Sequence, residues 1–260
     1  VKIALLDSGI GLLPAAAALR ELRPDADLVI TNDPDGMPWG LRTPADLTEH
    51  ALACARAAAA HRPDALVVAC NTASVHALEA LRAELEPRIP VIGTVPAIKP
   101  AAAGGGRVAI WATPATTGSP YQRGLIAEFG GTAEVTEVPC PGLADAVEFA
   151  DQEAMERAIA AAAALTPAGT TALVLGCTHY ELVADRIRTA LGPTAAPDLV
   201  QYGSAAAVAA QALRRLPAEV LARTGSGTLT VLQSGRPGTL PAPASAYAEG
   251  RGLLAVGVTG

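Results

Sequence analysis

Ala65-Leu66-Val67-Val68-Ala69-Cys70-Asn71-Thr72-Ala73-Ser74 begins as an apolar run of strand length, ends that run on a thiol, and passes through an amide and a hydroxyl into a helical pattern. A continuous apolar run without polar alternation suits a strand covered on both faces, and helical stretches on either side point to a parallel sheet. The pattern returns later in the chain as Leu173-Val174-Leu175-Gly176-Cys177-Thr178-His179, again an apolar strand ending in Cys before polar residues and a helix.

Outward from these two stretches, strand-like runs at 2–6, 27–32, 65–69, 90–93, 107–112, 134–138, 171–176 and 198–202 alternate with helical patterns. The latter fall at 13–22, 45–61, 74–85, 121–129, 152–165, 182–191 and 205–216. The alternation predicts an α/β protein of βαβ units whose mainly parallel sheets carry helices on both faces. Thr43-Pro44 reads as an N-cap and first helical position, and Gly130-Gly131 as a helix stop. Pro96 to Gly106, with three consecutive glycines, interrupts the pattern and marks a domain boundary; a second crossing falls near Tyr202 to Ser204. One more strand is expected at 228–233, in Gly- and Pro-rich surroundings.

With 260 residues the chain buries a substantial core without staples. Half of it is apolar but only 3% is aromatic, so small and branched side chains must build that core. The formal charge of −6 comes without any concentrated Lys/Arg run, which argues against nucleic acid or an anionic membrane as partner. No apolar stretch is long enough to span a bilayer. Residues 1–6 read as a buried strand rather than a signal peptide, so a cytoplasmic location is expected. The four cysteines form no CxxC pair, and are expected to be thiols rather than disulfides or zinc ligands.

Parallel sheets bind ligands at the carboxyl ends of their strands, where helix N-termini present free N–H groups. Cys70 and Cys177 both belong there, and a helix N-terminus favours the thiolate a base or nucleophile needs. The competing reading is packing, because free Cys is among the most buried residue types. Cys54, on one helical face with Leu47, Ala51 and Ala58, reads as core, whereas Cys140, ending a strand before Pro141, is ambiguous and leans toward packing. Asp7-Ser8-Gly9-Ile10-Gly11 offers a hydroxyl and a close-approach turn after the first strand, but lacks the GxGxxG spacing of dinucleotide sites. Asp7 there is either functional or a helix cap. His179 shares a loop with Cys177, whereas His50, His61 and His76 lie in helical patterns and read as surface or packing residues.

Six segments together resemble the glutamate racemases of the aspartate/glutamate racemase superfamily, from Ile3 to about Arg214. They are DSGIG at 7–11, Asp33 followed by PWG at 38–40, ACNTAS at 69–74, VIGTVPAIKPA at 91–101, ATPATT at 112–117 and LGCTHY at 175–180. The resemblance implies two pseudosymmetric, doubly wound α/β domains, residues 1–97 with 205–260 and residues 98–204, with the active site between them. It implies Cys70 and Cys177 as acid/base residues on opposite faces of the substrate, Asp7 assisting the first and His179 with Glu148 the second. Ser8, Pro38, Trp39, Gly40, Asn71, Thr72, Thr113, Thr116 and Thr178 would bind substrate. The chain departs from the family pattern at Leu12, Trp39, Glu181 and Gln201-Tyr202-Gly203, none of which removes a catalytic residue.

The chemistry agrees. Inverting a Cα centre requires taking a proton from one face and returning one to the other, which two thiols accomplish by exchanging roles. Hydroxyl and N–H donors can stabilise the charge that develops on the α-carboxylate. The expectation is therefore a cofactor- and metal-independent racemase whose partner is a small acidic amino acid, with a homodimer left open. Against it stand a superfamily enzyme acting on aspartate or another acidic substrate, and a non-catalytic ligand-binding relative of the same fold.

Overall fold

The computed structural model describes residues 1–192 and 194–255. Its strands, in chain order, are β1 (Lys2–Leu6), β2 (Asp27–Asn32), β3 (Ala65–Val68), β4 (Val91–Gly93) and β5 (Arg107–Ala112), followed by β6 (Glu134–Pro139), β7 (Ala172–Leu175), β8 (Val200–Tyr202), β9 (Leu229–Gln233) and β10 (Arg236–Pro237). Contacts divide the chain into two units, Val1–Val95 with Ala205–Gly260 and Pro96–Ser204, so the first crossing follows Val95.

The first unit carries a six-stranded sheet in the order β10-β9-β2-β1-β3-β4. Only the terminal hairpin of β9 and β10 is antiparallel, and β9 lies parallel to β2. Alternation along the strands sends Ala4 and Leu6 of β1, Leu66 and Val68 of β3 and Val29 of β2 to one face. There they pack with Leu47, Ala51, Cys54 and Ala58 of the helix Pro44–Ala59 and with Leu81 and Leu85 of the helix Leu78–Leu85. Small residues on the covering helix let it approach the sheet closely. Thr43 caps it, its hydroxyl accepting the Asp46 N–H at 3.3 Å.

The chain returns to this unit through a strapped segment. The Arg23 guanidinium donates to the carbonyls of Leu221 and Arg223, the Asp25 carboxylate accepts the Gly225 N–H, and Asp27 accepts from both the N–H and hydroxyl of Thr228. These bonds deliver β9 to the β2 edge, while the helix Ala248–Ala255 packs on the helix Leu13–Leu22.

The second unit has a four-stranded, wholly parallel sheet in the order β6-β5-β7-β8. Val108, Ile110, Ala172 and Val174 form its core with Ile98 and Ala101. The two sheets share a topology: β2-β1-β3-β4 in one corresponds to β6-β5-β7-β8 in the other. Cys70 and Cys177 each follow the third strand of their unit.

Three local expectations need correction. The span 96–106 is not simply a break, because the helix Ile98–Ala102 forms inside it; Pro100 falls in the first turn, where a missing N–H costs nothing. The pattern at 74–85 is divided at Ala77 into the helices Asn71–His76 and Leu78–Leu85, where the His76 carbonyl accepts the Thr48 hydroxyl. Between β6 and the helix Gln152–Leu165 lies a further short helix, Leu143–Glu148. The helix Pro120–Phe129 ends at Gly130-Gly131, with Gly131 at φ +55°.

Candidate active site

In an open parallel sheet the crevice lies where strand order reverses, here between β1 and β3 in the first unit and between β5 and β7 in the second. Asp7, Cys70, Thr113 and Cys177 follow the ends of those strands. In the first unit Asp7 follows β1, is buried, and accepts the Ser8 N–H on Oδ1 at 2.7 Å. The backbone closes the ends of three strands together, the Asp7 N–H donating to the Thr31 carbonyl at 3.2 Å and the Ala69 N–H to Leu6 at 2.8 Å.

Cys70 occupies the N-cap position of the helix Asn71–His76 with an extended backbone, and is 8% exposed. The period of two that buries Leu66 and Val68 carries on to Cys70, which joins the same apolar cluster. Asn71 is buried beside it and Thr72 half-buried. Thr94, after β4, and Ser74 fasten this corner: both hydroxyls donate to the Val68 carbonyl, and the Thr94 N–H donates to the Ser74 hydroxyl at 2.8 Å.

Cys177 is the N-cap residue of the helix Thr178–Glu181 and is more open than Cys70. Gly176 before it has a packing reason: a Cβ there would lie 2.7 Å from the Trp111 carbonyl oxygen. The Cys177 Sγ is 3.9 Å from His179 Nδ1, and His179 Nε2 is 2.8 Å from the Glu148 Oε2. An ionised carboxylate only accepts, so an N–H on Nε2 suits this contact, and a ring in that tautomer turns Nδ1 toward the thiol. Glu148 and His179 are both buried. The helix Leu143–Glu148 therefore aims a buried carboxylate at the ring that meets the thiol.

After β5, the Thr113 hydroxyl donates to the Thr116 hydroxyl at 3.3 Å, and the Thr116 and Thr117 N–H groups close on the Thr113 carbonyl. The loop is fixed from below, where the Gly118 N–H reaches both Gln122 Oε1 and Glu137 Oε1. Thr178 is buried next to Cys177. The two cysteines read as packing are both buried. Burial and the nearby Asp33 charge push Cys54 up to about 12, and burial with the nearby Cys177 does the same to Cys140. Both remain thiols at neutral pH.

Three of the singled-out residues have commitments the sequence did not reveal. Trp39 turns its side chain into the first unit's core, with Nε1–H donating to Asp33 Oδ2 at 2.9 Å, while Pro38 and Gly40 stay exposed. Glu181 uses its carboxylate on the N–H and hydroxyl of Ser204, at 2.8 and 2.9 Å, rather than leaving it as an open charge. His50, read as a surface or packing residue, pairs with Asp33 at 2.8 Å, and Ser234 donates to the same carboxylate at 2.7 Å. The Asp46–His50 spacing on one helix face was the available hint; the Ser234 contact spans 201 residues and had none. Among the described residues no group of three or more His, Cys, Asp or Glu is arranged to hold a metal ion, and no helix is long and apolar enough to cross a membrane.

A profile of the Asp/Glu/Hydantoin racemase family matches residues 13–213. The glutamate racemase of Roseiflexus sp. (strain RS-1) is 36% identical over 243 residues, covering 90% of this chain and 88% of that protein. Among solved structures, Escherichia coli glutamate racemase in complex with L-glutamate and the activator UDP-MurNAc-ala superposes with a TM-score of 0.79 at 26% identity, covering 99% of this chain and 95% of that one. Glutamate racemase from Thermus thermophilus in complex with beta-chloro-D-alanine gives a TM-score of 0.70 at 28% identity, covering 98% and 93%.

Proposed function

The chain belongs to the Asp/Glu/Hydantoin racemase family, and we propose that it interconverts L-glutamate and D-glutamate without a cofactor, using Cys70 and Cys177 as its two bases. The observation that carries the proposal is the equivalence of the two thiols. Each follows the third strand of a sheet with the same strand order, and each caps the helix that leaves it.

In one direction a thiolate removes the α-proton and the opposite thiol returns one; in the other direction the roles exchange. His179, oriented by Glu148, takes a proton from Cys177 through Nδ1 and gives it back, and Asp7 serves Cys70 in the corresponding way. Asn71, Thr72 and Thr178 provide donors beside the thiols for the developing charge on the α-carboxylate. Ser8, the Pro38 to Gly40 turn, Thr113 and Thr116 complete the substrate's polar contacts. With this activity the chain would supply D-glutamate for peptidoglycan synthesis in the cytoplasm, and so bear on cell-wall biogenesis and cell shape.

The test is circular dichroism of each pure enantiomer of glutamate and of aspartate incubated with the purified protein, after dialysis against a chelator and treatment with hydroxylamine. Loss of optical activity from both glutamate enantiomers is expected. Faster turnover of aspartate, or activity restored only by a metal or pyridoxal phosphate, would contradict the proposal.

A further inference from the structure

Asp33 follows β2, is 2% exposed, and gathers three side-chain donors on one carboxylate. Trp39 Nε1 and His50 Nδ1 meet Oδ2 at 2.9 and 2.8 Å, and the Ser234 hydroxyl meets Oδ1 at 2.7 Å. Its backbone is equally engaged: the carbonyl accepts the N–H groups of Gly36 and Met37, and its N–H donates to the Ser8 carbonyl. Gly36 lies directly on this arrangement, since a Cβ there would come within 2.0 Å of Asp33 Oδ2 and 2.5 Å of His50 Nδ1. Arg42 closes the loop, its guanidinium bonding the Gly36 carbonyl and the Asp46 carboxylate, which lies 3.7 Å from His50 Nε2.

A carboxylate at this depth is costly unless its lone pairs are filled, and an apolar side chain would retain a tryptophan in a core at lower cost. What the carboxylate adds is direction. It draws the Trp39 indole inward by its N–H, which leaves Pro38 and Gly40 on the surface of the turn. We infer that Asp33 is a positioning residue that, through Trp39 and His50, sets the shape of the Pro38 to Gly40 turn and with it the preference for the longer acidic substrate. This rests on the proposed function, in which the turn makes polar contacts to the substrate, and takes the side-chain carboxylate as the group it meets. Trp39 acts here as a tether and not as a wall of the pocket, so altering it changes the turn rather than making room.

The test compares wild type with Asp33→Asn, Trp39→Phe, the double variant and Gly36→Ala, which keeps every polar group but forces a methyl into the pair. KM and kcat are measured for L-glutamate and L-aspartate. Each single variant is expected to raise the KM for L-glutamate about tenfold with kcat held within about threefold, and to narrow the glutamate-to-aspartate ratio of kcat/KM by a similar factor. The double variant should be little worse than Asp33→Asn alone, because the Trp39 contact has then been removed twice. The chain has two tryptophans, so the indole N–H resonances give a second readout in the ligand-free protein. Trp39 should move upfield in Asp33→Asn, and Trp111, bonded to the Thr166 hydroxyl at 2.9 Å in the other unit, should stay. Additive losses, a fall in kcat at unchanged KM, improved glutamate turnover in Trp39→Phe, or an unmoved Trp39 resonance would each overturn the inference. A wild type inactive on glutamate would instead remove the proposed function, and the resonance would then decide alone whether Asp33 holds Trp39.

Discussion

The two strand-end thiols share a topological position but not an environment. Cys70 lies in the apolar cluster that joins its sheet to the helix Pro44–Ala59, with Asp7 at the end of the neighbouring strand. Cys177 is more open and is backed by an ordered imidazole and carboxylate, His179 and Glu148. A sheet of one topology thus presents a thiol at the same point with two kinds of support. Topology delivers the group to the strand end, and the side chains that follow decide its surroundings.

The largest expected effect comes from removing either thiol. Cys70→Ala and Cys177→Ala should each lower racemisation by about 10³-fold or more, the scale of a lost acid/base group, with far-ultraviolet circular dichroism unchanged. A variant that racemises at the wild-type rate would break the equivalence of the two sides.

The next effect sharpens the asymmetry. Glu148→Gln leaves His179 in place but removes the charge that orients it, and should lower kcat/KM by about 10- to 100-fold, the scale of a charge-assisted hydrogen bond. Because the equilibrium constant between enantiomers is one, kcat/KM must fall equally in both directions. The asymmetry should appear in the primary isotope effects with α-deuterated substrates, which should grow for the enantiomer deprotonated by Cys177 relative to the other. Equal changes for both enantiomers would show that the His179–Glu148 pair does not belong to one face.

A third measurement separates the proposed bases from the packing cysteines. With Cys54 and Cys140 pushed up to about 12, both are protonated far above neutral pH and should resist iodoacetamide in the native protein at pH 8. Cys177, the most open of the four, should be labelled first in a peptide-resolved mass-spectrometric time course. Early labelling of Cys140 would contradict its place in the core.

The smallest effect compares the caps that start the helices after the two site loops. Thr43 accepts the Asp46 N–H in one unit and Ser119 the Gln122 N–H in the other. Thr43→Ala and Ser119→Ala should each cost about 1 kcal/mol in denaturant unfolding, with little loss of activity. A large kinetic defect from Ser119→Ala alone would mean that the Thr113–Thr116 loop depends on that cap.

Much of this was legible in the chain. Unbroken apolar runs such as 65–69 and 108–112 suit strands covered on both faces, so they announced a parallel α/β protein and placed both thiols at strand ends. Thr43-Pro44 and Gly130-Gly131 gave helix limits because capping is local chemistry, contained within a few residues. The helix Leu143–Glu148 escaped notice because six residues are too few for a periodicity to register, and it is the element that delivers Glu148.

What the sequence by itself determined was the alternation of strand and helix and the identity of the residues at the strand ends, because both follow from patterning over short distances. What only the tertiary structure decided was where the polar side chains spend their hydrogen bonds. Trp39 faces inward because Asp33 accepts its N–H, Glu181 is committed to Ser204, and Ser234 reaches Asp33 across 201 residues. A donor's choice among acceptors depends on which are near once the chain has folded and water has been excluded, and no spacing along the chain records that.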